Sequence, residues 1–124
     1  MALYAVTVPI APGKLEDWKR FAQELAGPRK AEFDASRREL GVRERVFLQS
    51  LPQGDFVIVT WEGRDPRSTL QRMGKLKGPF ADWFVAKVQE LHGMDLRTVT
   101  EPNAQLCVDS EAGRPSAPSV EHHA

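Results

Sequence analysis

The sequence predicts an α+β fold of order βαββαβ: a four-stranded antiparallel sheet with its helices on one face. Three observations carry this expectation. Short β-branched or alternating stretches recur at residues 3–10, 43–51, 55–62 and 105–109. Between them, apolar residues fall at helical spacing over residues 15–40 and 79–92. Glycine and proline stand at the boundaries, where turns and helix ends need them.

The first strand, Leu3 to Ile10, runs into the turn residues Pro12-Gly13. Leu15, Trp18, Ala22 and Leu25 then form a helical stripe with Phe21 beside it and charges opposite. Gly27-Pro28 interrupts the helix, and Pro28 is expected to open a second piece, because a helix start has no use for the missing N–H. Phe33, Ser36 and Leu40 continue the buried stripe to Gly41, a C-cap glycine. Arg43 to Leu51 and Asp55 to Glu62 flank Pro52-Gln53-Gly54 and read as a hairpin. Asp65-Pro66 starts a short helix to about Met73. Pro79 opens a longer one with Phe80, Trp83, Phe84, Val88 and Leu91 on one face, and Gly93 closes it. Gln105 to Asp109 alternates as a short last strand.

A chain of 124 residues suits one domain, expected over residues 1–109, with a polar, proline-bearing tail at 110–124. The 17 basic and 17 acidic residues cancel, so no strong field gathers phosphate backbones and no nucleic-acid partner is expected. The single cysteine, Cys107, rules out an internal disulfide and fits a reducing compartment. Met1 to Ile10 has neither a basic start nor a long apolar run, so neither a signal peptide nor a membrane span is expected there. A cytoplasmic location follows as the default.

Sorting the strands by period two separates two faces. Tyr4, Val6, Val8, Val46, Leu48, Val57, Val59, Trp61, Leu106 and Val108 form a nearly apolar set suited to the helix-covered face. The second set is mixed, yet it holds Leu3, Phe47, Phe56 and Ile58, and no further chain remains to cover them. A contiguous apolar patch of this kind marks an interface, and a two-fold copy closes it most simply, so a homodimer is expected. The competing reading is a monomer with singly exposed apolar side chains.

The segments "VPIAPGKLEDWKRFAQEL" and "QGDFVIVTWEGRDP", with the strand order, resemble the dimeric α+β-barrel superfamily, a ferredoxin-like group. "GPFADWFVAKVQELHGMDL" is similar to a set of short bacterial proteins of that group whose function is unassigned. The resemblance spans about residues 1–109 and implies two ferredoxin-like protomers packed sheet to sheet. The superfamily includes cofactor-free monooxygenases, polyketide cyclases, isomerases, haem-degrading enzymes and proteins without known catalysis. The fold alone does not choose among them. Related enzymes often carry a working histidine near the start of the second helical segment, where this chain has Lys75, Lys77 and Gly78.

His92 is the main proton-transfer candidate. It ends the last long helix, with Asp95 three residues on as a group able to orient the ring. The alternative is a cap, the ring N–H bonding a free helix-end carbonyl. Tyr4 is a second proton-transfer candidate. Trp18, Phe21, Trp61, Trp83 and Phe84 form, with Tyr4, an aromatic wall between helices and sheet, either a ligand pocket or simply core. Gly74 to Gly78 lacks the spacing of a phosphate loop and reads as a surface loop. His122-His123 lacks a third ligand, and Cys107 has no basic neighbour to activate it, so no metal site is expected.

Two functional readings remain open. One is a cofactor-independent enzyme, monooxygenase-, cyclase- or isomerase-like, acting on an aromatic or polyketide-like compound. The other is a non-catalytic ligand-binding or structural homodimer. Haem chemistry stands third, with His92 the only internal axial-ligand candidate; no cofactor is expected.

Overall fold

A computed structural model describes residues 1–111 and has an α+β architecture. The elements run β1 (Ala2–Pro9), α1 (Leu15–Ala26), α2 (Lys30–Leu40), β2 (Val42–Leu51), β3 (Gly54–Gly63), a 3-10 turn (Pro66–Ser68), α3 (Thr69–Met73) and α4 (Pro79–His92). The sheet has three strands in the order β1-β3-β2. Both β1 and β2 run antiparallel to β3, so they are parallel to each other across it. This connection, with α1 and α2 between β1 and β2, puts the helices on one face.

Register follows the period-two expectation. Tyr4 pairs with Trp61, Val6 with Val59 and Val8 with Val57, while Val46 and Leu48 face the last two from the other side. All share the helix side of the sheet, where Val46 and Leu48 of β2 are left 40 % and 38 % exposed. The core beneath the helices centres on Trp61 and Leu91, each 1 % exposed, and Leu96, 2 % exposed. The hairpin is tight: Leu51 pairs with Gly54, leaving Pro52-Gln53 as the loop. Gly41 and Gly93 take the left-handed conformation that ends α2 and α4, with φ of 72° and 69°. Gly74 is required for a different reason. A Cβ there would meet the Leu96 carbonyl oxygen at 1.9 Å, so only glycine lets the segment after α4 close over the end of α3.

Two expectations are corrected. Pro28 does not open α2; it lies in the turn between Ala26 and Lys30, which the Arg29 N–H closes onto the Glu24 carbonyl at 2.8 Å. Gln105 to Asp109 is not a strand, so the four-stranded sheet becomes three-stranded among the described residues. The chain does return to the tip of the Tyr4 side chain, whose hydroxyl donates to the Ala104 carbonyl at 2.8 Å. Beyond that point Leu106 and Val108 stand 82 % and 85 % exposed. A five-residue alternation has too little apolar surface to hold itself on one sheet edge when nothing covers its outer side. Of the tail expected at 110–124, residues 112–124 lie outside the described residues, and His122 and His123 with them.

Among the described residues, no helix is long and apolar enough to cross a membrane. The face away from the helices carries Leu3 and Phe47, 60 % and 53 % exposed, with half-buried Phe56 and Ile58 between them.

Candidate functional site

The helices do not seat fully on the sheet. A chamber of about 380 Å³ lies between the two layers, within the size range of small-molecule sites. Its floor is the valine lattice of the sheet, Val6, Val8, Val46, Val57 and Val59, with Trp61. Trp18, Phe21 and Leu25 of α1 and Phe84 and Val88 of α4 form the roof, while Met94 and Leu96 close one end. These side chains follow from the sequence pattern: β-branched residues alternating on strands, and aromatics at helical spacing above them.

Polar groups enter this apolar space at two places. The first is His92. Its ring lines the chamber, and Nδ1 lies 2.9 Å from the Pro9 carbonyl oxygen at the end of β1. A carbonyl can only accept, so Nδ1 carries the proton and, in the neutral ring, Nε2 is left with the lone pair. Burial pushes the imidazole pKa below its ordinary 6.5, and the Pro9 carbonyl only partly offsets this. At neutral pH the ring is therefore an uncharged base. It does not cap its own helix; Gly93 does that by donating its N–H to Gln89. An adjoining backbone bond, Ala11 N–H to the Leu91 carbonyl at 2.8 Å, ties the same helix end to the segment after β1.

The second is an ion pair that sequence reasoning missed. Arg37 of α2 is 4 % exposed, and its Nε donates to Glu44 Oε1 of β2 at 2.8 Å. The same oxygen accepts from Trp61 Nε1 at 2.9 Å. Arg37 Nη1 reaches Ser36 Oγ at 2.7 Å, and the guanidinium lies against Phe33 and Phe84, 4.6 Å from each ring centre. A signal for this pair exists in the sequence. Glu44 sits in register with Val46 and Leu48, a lone charge on an otherwise apolar strand face, and Arg37 follows Phe33 by four residues on the buried stripe of α2. Each charge marks a place where burial needs a partner.

The expected site residues divide. His92, Trp18, Phe21, Trp61 and Phe84 meet around the chamber. Trp83 does not line it: the indole packs outside, 5.5 Å from Phe21, under the Arg29 guanidinium at 4.1 Å. Tyr4 lies beyond the chamber wall, its hydroxyl spent on the Ala104 carbonyl. Asp95 does not reach His92 as an orienting group; its carboxylate accepts the Arg97 N–H at 2.9 Å and turns the chain after α4. Cys107 is exposed. Among the described residues, no group of three histidine, cysteine or acidic side chains could hold a metal ion.

Compared with protein-family models, curated proteins and solved structures, the chain matches none.

Proposed function

We propose that the protein binds a flat, largely apolar small molecule in the chamber between helices and sheet, and moves a proton on it without a cofactor. The observation that carries this reading is the position of His92: a neutral imidazole on the wall of an apolar chamber, its tautomer set by Pro9 so that Nε2 is the basic atom. Isomerisation, aldol-type ring closure and cofactor-independent oxygenation of aromatic or polyketide-like compounds share one first step, removal of an acidic proton. A single desolvated base beside a ring-sized cavity suits that step. The test is a bicyclic enolisable ketone. With 2-tetralone in D2O, His92 takes an α-proton, the enolate forms, and a deuteron returns to the same carbon. Exchange followed by NMR should run well above the solvent rate and fall about 100-fold or more in His92→Asn.

The competing reading is a non-catalytic binder. Its support is that Tyr4, the other proton-transfer candidate, and Asp95, the expected orienting group, are held in structural contacts away from the chamber. Binding of the ketone without exchange would establish it.

The same proposal takes the protein as a homodimer of ferredoxin-like protomers, packed sheet to sheet as in the dimeric α+β barrels that its sequence resembles. Supporting this are the face bearing the exposed Leu3 and Phe47 and the exposed apolar pair Leu106 and Val108, which follows Ala104 where it accepts from the Tyr4 hydroxyl. A second copy would cover both at once, giving the 105–109 segment a surface on which its alternation has a use.

A further inference from the structure

Resting on that reading of the chamber, we infer that the Arg37–Glu44–Trp61 cluster is a recognition subsite for a neutral hydroxyl, so that the preferred ligand is a phenol or enol and neither a bare hydrocarbon nor a carboxylic acid.

Within the cluster, hydrogen-bonding capacity is left unspent on one side chain only. Arg37 is fully engaged: Nε on Glu44, Nη1 on Ser36, Nη2 against Met73 Sδ at 3.6 Å, and the guanidinium against the Phe33 and Phe84 rings. It cannot swing out to meet a ligand without leaving these partners. Glu44 is different. Both of its hydrogen bonds fall on Oε1, while Oε2 receives none among the described residues. The side chain is 5 % exposed and lines the chamber. A carboxylate oxygen retains two lone-pair directions, and this one, on a residue of the chamber wall and with no donor from the described residues, can accept an O–H or N–H from a ligand.

Charge decides the class of donor. Inside the chamber the carboxylate and guanidinium cancel, and Lys30, at its exposed rim, is held by Asp34 Oδ2 at 2.7 Å. Among the described residues lining the chamber no cation is left over for an anionic ligand, and a ligand carboxylate would face that of Glu44 in a medium that screens poorly. The second polar group, His92 Nε2, is again an acceptor. Both ends of the chamber thus ask for donors, and the space between them is apolar. A fused-ring phenol, or a polyketide held as its enol, gives its donor to Glu44 and its apolar body to the space beyond.

The experiment uses the full chain and three probes of one shape: naphthalene, 2-naphthol and 2-naphthoate. Binding is read at pH 7 by calorimetry and by quenching of the chamber tryptophans. We expect 2-naphthol to bind about tenfold more tightly than naphthalene, and 2-naphthoate more weakly than either. In the double variant Arg37→Met with Glu44→Gln, which removes both charges together, the naphthol preference should shrink to about threefold or less. The ranking in the unaltered protein stands without the variant. Naphthalene binding as well as naphthol overturns the subsite and leaves the chamber intact as a binding site. Naphthoate binding most tightly overturns it too, by showing an uncompensated cation. If none of the three binds, the chamber reading fails and the subsite fails with it.

Discussion

Both faces of the sheet carry large apolar side chains, and these meet opposite fates. On the covered face, Val6, Val57, Val59 and Trp61 support helices that stop short of full contact and leave a chamber. On the other, Leu3, Phe47, Phe56 and Ile58 stand among Arg45, Thr60 and Glu62, with no helix over them among the described residues. The lesson is that apolar pattern locates surfaces to be covered without saying how completely. The covered face is distinguished by its few charges. Glu44 and Arg37 are buried there as a pair, in a position where neither charge would be tolerated alone.

The largest expected effect follows from that pair. Glu44→Ala removes the carboxylate and leaves Arg37 buried with its charge uncompensated, so unfolding in denaturant should show a loss of about 3–5 kcal/mol. The uncovered face offers the contrasting case. Phe47→Glu should change the folding stability of one protomer by no more than about 0.5 kcal/mol, because the ring is 53 % exposed there. Its effect should appear in sedimentation instead, as loss of the proposed dimer. An unaltered protein that sediments as a monomer at micromolar concentration would break this half of the comparison.

Much of this was legible in the sequence where period and punctuation agree. The order of β1, α1, α2, β2, β3 and α4, the Gly41 and Gly93 helix ends and the assignment of strand residues to faces all rest on local geometry, and local geometry is what a sequence pattern encodes. The last strand was not legible, because Gln105 to Asp109 alternates correctly but a strand is a pairing, and pairing depends on what lies alongside. Tyr4, Trp83 and Asp95 were misplaced for a related reason. Each has the right chemistry on an element adjoining the chamber, and each is claimed by a nearer partner: the Ala104 carbonyl, the Arg29 guanidinium and the Arg97 N–H. Arg37 and Glu44 were passed over because charges are ordinarily read as solvated. Their positions on apolar stripes were the signal.

A smaller effect should appear in the pH dependence of stability. The folded pKa of His92 is depressed below 6.5 by burial, so above that value folded and unfolded chains are both neutral at this site and its contribution is at its maximum. As pH falls below 6.5 the unfolded chain binds a proton that the folded chain declines, and stability drops until the folded value is reached. His92→Asn keeps a donor for the Pro9 carbonyl and removes the titration. Denaturant midpoints measured across pH 7 to 5 should therefore slope less steeply in the variant, and equal slopes would remove the case for a desolvated imidazole.

The most direct test of the central claim, that the covered face holds a ligand chamber and the uncovered face does not, is a methyl NMR titration with 2-naphthol. Shifts should concentrate on Val57, Val59, Val88 and Leu25 and saturate together, while Leu3, Leu51 and Ile58 stay in place. Shifts confined to Leu3, Leu51 and Ile58, or no saturable shift at any methyl, would contradict the account.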